Sequence, residues 1–253
     1  MITFGDAAAL LAAGAAAGLV GSAGGISSLV SYPALLLVGL PALSANVTNI
    51  VALASCWPGA ALASQPELEG KRAWLQRWAP VAAAGGAAGA VLFLATSAAT
   101  FTRVVPFLVA AASLALLVEP RLTMWRSQRH SQDSKLALPA GVFTLSVYSG
   151  YFGAGSGVMF LAVLLLLVDR NLPRANALKN MLLGAATLVS ALILALSGSA
   201  NWSAVVPLGV GLFAGSSVGP RATRRLPAKV LRPLIALLGM GLAVELWVHP
   251  SGM

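Results

Sequence analysis

The chain carries the same glycine-broken apolar pattern twice, once in residues 18–49 and again in residues 148–180. Each copy has a glycine-rich break, a short apolar run, a Leu-Pro pair and a polar pair that ends in Asn. Internal duplication around helix-breaking glycines in an apolar chain is typical of secondary transporters. The pattern therefore predicts two related halves with a glycine-rich break in each.

Composition places the chain in a lipid bilayer. Hydrophobic residues make up 58% of it and charged residues 9%, against about 25% charged residues in a soluble domain. No basic residue precedes the first apolar run, so we expect that run to be retained rather than cleaved as a signal peptide. Cys56 is the single cysteine; it allows no intramolecular disulfide and is expected to be a packing residue.

Ten apolar segments are separated by glycine, proline and charged clusters. They are residues 7–22, 26–39, 43–63, 78–95, 101–118, 136–152, 158–168, 173–196, 202–218 and 231–248. The expected organisation is a first repeat (1–119), a cytoplasmic linker (120–135) and a second repeat (136–253). Segments 26–39 and 158–168 are shorter than the roughly 17 to 25 residues of a spanning helix, so they either cross a thinned region or are re-entrant.

The basic residues predict the orientation. With an odd number of crossings in each half, all of the 16 Lys and Arg residues except Arg103 and Lys179 fall in loops on one side. Four crossings in each half would divide them almost evenly, which the positive-inside rule disfavours. The sequence therefore predicts an all-α polytopic membrane protein of two five-segment, inverted-topology repeats, with about eight to ten transmembrane or re-entrant helices. Both termini should be periplasmic, and the positive charge requires no nucleic acid as partner.

Acidic and histidine residues exclude several functions. The seven carboxylates lie in loops or at segment ends, which disfavours a cation transporter or a carboxylate-driven antiporter. His130 and His249 are too far along the chain from Ser156 to activate it, which excludes an intramembrane serine protease. We expect no enzyme activity, no cofactor and no metal site. No sequence feature specifies an oligomeric state.

The duplicated polar and glycine residues form the predicted substrate site. Backbone groups freed by a glycine break at membrane depth must line a cavity or meet a ligand, and helix N-termini favour anions. The candidates are Gly21, Ser22, Gly24, Gly25, Asn46, Thr48, Asn49, Gly153, Gly155, Ser156, Gly157, Asn176, Lys179 and Asn180.

Other interpretations of these residues remain open at this stage. The glycine clusters could instead allow close helix packing, which is the interpretation we favour for Gly85 and Gly89 and for Gly211, Gly215 and Gly219, with their four-residue spacing. Lys179 could instead extend its ammonium to the cytoplasmic surface.

The second glycine cluster identifies a resemblance. Gly-Tyr-Phe-Gly-Ala-Gly-Ser-Gly-Val (residues 150–158), with its fainter first copy Gly-Leu-Val-Gly-Ser-Ala-Gly-Gly (residues 18–25), resembles the TauE/SafE family of sulfite exporters over nearly the whole chain. The resemblance implies a multi-pass transporter of the bacterial inner membrane for sulfite, organosulfonates or related sulfur-containing anions. We expect export by alternating access around the two breaks. The alternatives are a non-transporting scaffold or assembly factor, and an importer of another small anion.

Overall fold

The computed structural model describes residues 2–127 and 136–222. The regular elements in these residues are all helices, in agreement with the predicted all-α class. They are α1 (Phe4–Gly24), α2 (Ser28–Leu37), α3 (Ala42–Leu53), α4 (Cys56–Ala63), α5 (Gln65–Leu68), α6 (Arg72–Leu94), α7 (Ala98–Ser127), α8 (Ala137–Tyr151), α9 (Ser156–Leu167), α10 (Leu172–Leu196) and α11 (Trp202–Ala222).

Four helices are long and apolar enough to cross a membrane, namely α1, α6, α10 and most of α11. α2 and α9 are apolar but have 10 and 12 residues, which at 1.5 Å per residue gives lengths of about 15 and 18 Å. Both lengths are well below the roughly 30 Å of a hydrocarbon core. The described residues therefore form a multi-pass membrane protein. α2 and α9 correspond to the two short predicted segments and are too short to span the hydrocarbon core.

Most predicted segments correspond closely to the helices, but α6 begins six residues before the predicted segment 78–95, and two other segments also differ. Segment 43–63 is split into α3 and α4, because Pro58 has no N–H for the carbonyl of Ala54 and its ring crowds that carbonyl. The polar stretch after residue 118 begins inside α7, which continues to Ser127. The predicted segment 231–248 and half of the predicted linker, residues 128–135, lie outside the described residues.

Local sequence signals set where α1 and α10 begin. Thr3 and Asp6 form a capping box at the start of α1, since each side chain bonds the backbone N–H of the other. Asn171 caps α10 by accepting from the N–H of Arg174 at 3.1 Å, and Pro173 occupies the first turn. Both helices thus begin where the sequence provides a cap.

Ion-pair and hydrogen-bond contacts define the two ends of the helix bundle. Lys71 and Asp169, 3.7 Å apart, join the start of α6 to the start of α10; we name this the α6 end. Ser44 Oγ donates to the carbonyl of Ser199 at 3.3 Å, which joins the start of α3 to the end of α10; we name this the α3 end. α3 and α10 therefore run in opposite directions.

Glycine contacts fix the direction of the other helices. On α1, Gly14 faces Leu208 and Gly211, while Gly18 faces Leu212 and Ser216, so α1 and α11 are parallel. In the same way, Gly85 faces Phe143 and Gly89 faces Val147, so α6 and α8 are parallel. A Cβ at Gly85, Gly89, Gly211, Gly215 or Gly219 would collide with the neighbouring helix. Their predicted role in close helix packing is confirmed.

Two helical hairpins enter the bundle from opposite ends. The first hairpin, α1 with α2, starts at the α3 end and returns there to join α3. The second hairpin, α8 with α9, starts at the α6 end and returns there to join α10. Their tips meet, because a Cβ on Gly25 would lie 2.6 Å from the Cα of Gly157. This meeting point is where the candidate site forms.

Candidate functional site

Glycines shape both hairpin tips. Gly25 ends α1 in the left-handed region at φ 82°, and Gly153 and Gly155 adopt φ 81° and 72° ahead of α9. These conformations strain a residue that carries a Cβ, so glycine is required at each position. Sequence reasoning therefore placed the breaks correctly, at the junctions of α1 with α2 and of α8 with α9.

Polar side chains from α10 bind carbonyls at the end of α1. Asn176 Nδ2 and Asn180 Nδ2 both donate to the carbonyl of Ser22, at 2.9 and 3.0 Å. Lys179 Nζ donates at 3.2 Å to the carbonyl of Gly21, which also accepts from the N–H of Gly25. The last carbonyls of a helix need partners from outside its regular ladder, and here the second half of the chain supplies three donors for the broken helix of the first half.

The reverse arrangement holds at the other break. Asn46 Nδ2, on α3, donates to the carbonyl of Tyr151 at 3.0 Å, at the end of α8. Asn49 Oδ1 accepts from Ser31 Oγ at 2.5 Å, and Thr48 Oγ1 accepts from the N–H of Asn201 at 3.0 Å. Asn46 on α3 thus binds the broken helix of the second half, as the α10 cluster binds that of the first half, whereas Asn49 bonds within its own half.

These contacts change the role assigned to the asparagines. The amide groups of Asn46, Asn176 and Asn180 donate to the backbone, whereas they were predicted to donate directly to a substrate anion. Asn46 Oδ1 and Asn176 Oδ1, at equivalent places in the two halves, are buried with no hydrogen-bond partner among the described residues. Asn46, Asn176 and Asn180 therefore hold the two breaks in shape, and their predicted contact with a substrate remains a prediction.

Lys179 is a fully buried lysine. Its side chain has no exposure to solvent, and among the described residues the one ion pair is that of Lys71 with Asp169. The alternative in which Lys179 extends to the surface is therefore wrong. A buried ammonium without a carboxylate partner is costly, and a bound anion would offset that cost.

A cavity of about 80 Å³ lies where the two hairpin tips meet α3, α4 and α10. A water needs about 10 to 15 Å³ of such space, so the cavity has room for a compact anion of several heavy atoms. Its lining residues are Gly21, Ser22, Gly25, Ser27, Ser28, Ile50, Leu53, Cys56, Trp57, Ala60, Ser149, Gly153, Ser156, Gly157, Asn180, Leu183, Gly184 and Thr187.

The predicted site residues divide into two groups around this cavity. Those that line it are Gly21, Ser22, Gly25, Gly153, Ser156, Gly157 and Asn180. Those outside the lining set are Gly24, Asn46, Thr48, Asn49, Gly155, Asn176 and Lys179. Lys179 is nonetheless one hydrogen bond away from the cavity, through the carbonyl of Gly21.

Two helix N-termini reach the cavity. α2 begins at Ser28 and α9 at Ser156, and both serines line it. The start of a helix carries a partial positive charge, and several of the first N–H groups of these two helices donate to carbonyls of the preceding turns. The hydroxyls of Ser22 and Ser156 also donate to backbone carbonyls, so further donors come from the other hydroxyls of the lining. Negative charge is therefore the kind that this cavity favours.

Sequence reasoning missed several cavity residues. Ser27 and Ser28 follow the first break directly, so the start of the short segment could have identified them. Ser149 and Thr187 lie within helical runs and carried no local signal. Cys56, which was expected only to pack, is partly exposed and lines the cavity next to Trp57. Within the described residues, no group of three or more metal-ligating side chains is assembled.

Known proteins provide an independent comparison. The family model described as Sulfite exporter TauE/SafE matches residues 8–246. A probable membrane transporter protein, ORF9, from Sinorhizobium sp. is 27% identical over 244 residues, which cover 93% of this chain and 90% of the relative. A probable membrane transporter protein from Haemophilus influenzae is 26% identical over 260 residues, 96% of each chain. No solved structure matches the chain.

Proposed function

Because the chain belongs to the TauE/SafE family of membrane transporters, we propose that it exports a small sulfur-containing anion, such as sulfite or a sulfonate, through the cavity between its two hairpins. The observation that carries this proposal is the convergence of two helix N-termini and several serine hydroxyls on one cavity, with a buried lysine one hydrogen bond away. No enzyme activity is proposed.

The charge of the substrate follows from the cavity chemistry. Each helix N-terminus acts roughly as half a positive charge, and Lys179 adds a full charge close by. Among the described residues, no carboxylate lines the cavity. In discontinuous transporter helices, half-helix N-termini of this kind point at anionic groups of the substrate. An oxyanion that accepts several hydrogen bonds fits this environment.

The proposed mechanism is alternating access by two inverted repeats. By position in the two halves, α8 corresponds to α1, and α11 corresponds to α6. α1 packs along α11, and α8 packs along α6, so the same pair of helices packs together in both cases. Since α1 and α8 run in opposite directions, the packing supports an inverted relation between the halves. Each hairpin is anchored at its own end of the bundle and bound at its break by the other half. Rocking of one half against the other would expose the cavity to each end in turn.

Charge distribution supports the orientation and the direction of transport. Lys71, Arg72, Arg170 and Arg174 all lie near the starts of α6 and α10, so we assign the α6 end to the cytoplasm by the positive-inside rule. The start of α1 is then periplasmic, and for the C-terminus we keep the periplasmic side that the sequence predicts, in a bacterial inner membrane. The membrane potential, negative inside, favours anion export by about 2.3 kcal/mol per charge per 100 mV.

A binding measurement on purified protein tests the proposal. We expect sulfite and short sulfonates to raise the unfolding temperature of the detergent-solubilised protein in a saturable manner, because a ligand at 100 times its dissociation constant stabilises the folded state by about 2.7 kcal/mol. Chloride at equal ionic strength is the control. If no sulfur oxyanion raised the unfolding temperature above the chloride control, the scaffold alternative would be favoured.

A further inference from the structure

One aromatic side chain, Trp57, forms part of the cavity wall. Most of the other lining residues are Gly, Ser or Ala, which contribute backbone and small side chains. Ile50, Leu53 and Leu183 are the remaining large apolar residues in the lining. Since Trp has the largest side chain of this set, its position has the greatest single effect on the space that a substrate can occupy.

The break between α3 and α4 positions Trp57. Ser55 Oγ donates to the carbonyls of Ala52 and Gly209, at 2.7 and 2.8 Å, where the two helices separate. Trp57 follows as the second residue of α4 and precedes Pro58. A serine at the break that bonds the backbone of α3 and of the neighbouring α11 restricts how the start of α4 can turn. The indole ring is therefore held at a defined place beside α10.

Gly184 provides the surface on which the indole lies. A Cβ at Gly184 would be 2.5 Å from Trp57 Cγ and 2.8 Å from Trp57 Nε1, so the ring packs directly on the backbone of α10. Gly184 also lines the cavity. The indole can occupy this position only because residue 184 has no side chain.

The cavity wall divides by chemistry. The hairpins contribute the serine hydroxyls and the helix N-termini, whereas the large apolar residues Ile50, Leu53, Trp57 and Leu183 all come from α3, α4 and α10, together with the polar Asn180 and Thr187. An anion that places its charged oxygens at the hairpins would direct any carbon substituent toward the apolar residues. The length of that substituent is then limited by the indole.

We propose that Trp57, seated on Gly184, sets the upper size limit of the anion that the cavity accepts. The compact sulfite ion fits with the indole in place, and sulfonates with longer carbon chains are excluded by it. This inference rests on the proposed transport of sulfur-containing anions, and it assigns Trp57 a role in specificity rather than in binding the charged group.

The test is sulfite and alkanesulfonate efflux from proteoliposomes. Straight-chain sulfonates from methane- to butanesulfonate keep the same charged group and differ only in length. For Trp57→Ala, we expect the ratio of butanesulfonate to sulfite efflux to rise at least about tenfold over the wild type, since each methylene that a pocket excludes accounts for about a 10- to 200-fold discrimination. Trp57→Leu and Trp57→Phe should give smaller increases, in order of side-chain size.

Three further variants separate this role from general packing. Gly184→Ala should reduce efflux of every anion at least about tenfold, because the new methyl group pushes the indole into the cavity. The double variant Trp57→Ala/Gly184→Ala should recover sulfite efflux. Trp202→Ala is the matched control, since Trp202 is an exposed tryptophan at the start of α11 outside the cavity. It should leave the ratio unchanged.

The outcomes distinguish this inference from the proposed function. If the wild type exports sulfite but the ratio of butanesulfonate to sulfite efflux does not change across the Trp57 series, the role of Trp57 is overturned and the proposed function is not. Failure of the double variant to recover, with both single variants inserted, would also count against it. Absence of efflux of every sulfur anion in the wild type would overturn the proposed function, and this inference with it.

Discussion

Replacing Gly157 with valine is expected to reduce anion efflux to the level of protein-free liposomes. A Cβ at Gly157 would lie 2.7 Å from the carbonyl oxygen of Gly25 and 2.9 Å from its carbonyl carbon, so the two hairpin tips could not remain in contact. Overpacking of this kind costs about 1 to 3 kcal/mol, and here it also displaces two residues that line the cavity. Sulfite efflux from proteoliposomes is the measurement, with insertion checked by gel filtration.

Gly24 provides the matched control for this variant. It precedes Gly25 directly, yet a Cβ at Gly24 would have no other atom within 4 Å. Gly24→Ala should therefore retain most of the wild-type efflux. If Gly157→Val transported as well as Gly24→Ala, contact between the tips would not be needed for transport.

Replacing Lys179 with methionine should separate binding from stability. Methionine keeps most of the side-chain length but removes a positive charge beside the cavity, and two unit charges about 8 Å apart interact by about 2 kcal/mol at an effective dielectric constant of about 20. We therefore expect the apparent affinity for sulfite to fall about ten- to hundredfold. Without sulfite, the unfolding temperature should be unchanged or higher, because the variant no longer buries an ammonium that lacks a carboxylate partner in the described structure.

Lys71→Ala is the control for the loss of one positive charge. Lys71 is partly exposed and pairs with Asp169 at the α6 end, and a surface ion pair contributes about 0 to 1 kcal/mol. This variant should bind sulfite nearly as well as the wild type. Wild-type affinity for sulfite in Lys179→Met would show that Lys179 is not part of the site. A loss of stability with no change in affinity would indicate a structural role.

Helix positions were predictable from the sequence because apolar runs and glycine or proline interruptions act locally. The starts of α2, α8, α9 and α10 lie within two residues of the predicted segment starts. The division of α3 from α4 was missed, although Pro58 provided a signal for it. The extension of α7 past residue 118 was also missed, since charged residues are compatible with a helix once it has left the apolar core.

The candidate site was predictable only in part, because its chemistry depends on contacts between distant residues. The duplicated motif located the hairpin tips and the polar turns of α3 and α10. It did not show that Asn176 and Asn180 would bind the carbonyl of Ser22, since more than 150 residues of chain separate those partners. Trp57 was missed for the same reason, because its place in the cavity depends on Gly184, on a different helix.

The central claim is that the cavity between the hairpins carries a sulfur-containing anion across the membrane. The most direct measurement is sulfite efflux from proteoliposomes that are preloaded with sulfite and given an inside-negative potential. We expect efflux above that of protein-free liposomes, and faster as the potential becomes more negative, because about 2.3 kcal/mol per charge is available at 100 mV. Efflux of sulfite and short sulfonates that never exceeded the protein-free background would contradict the claim.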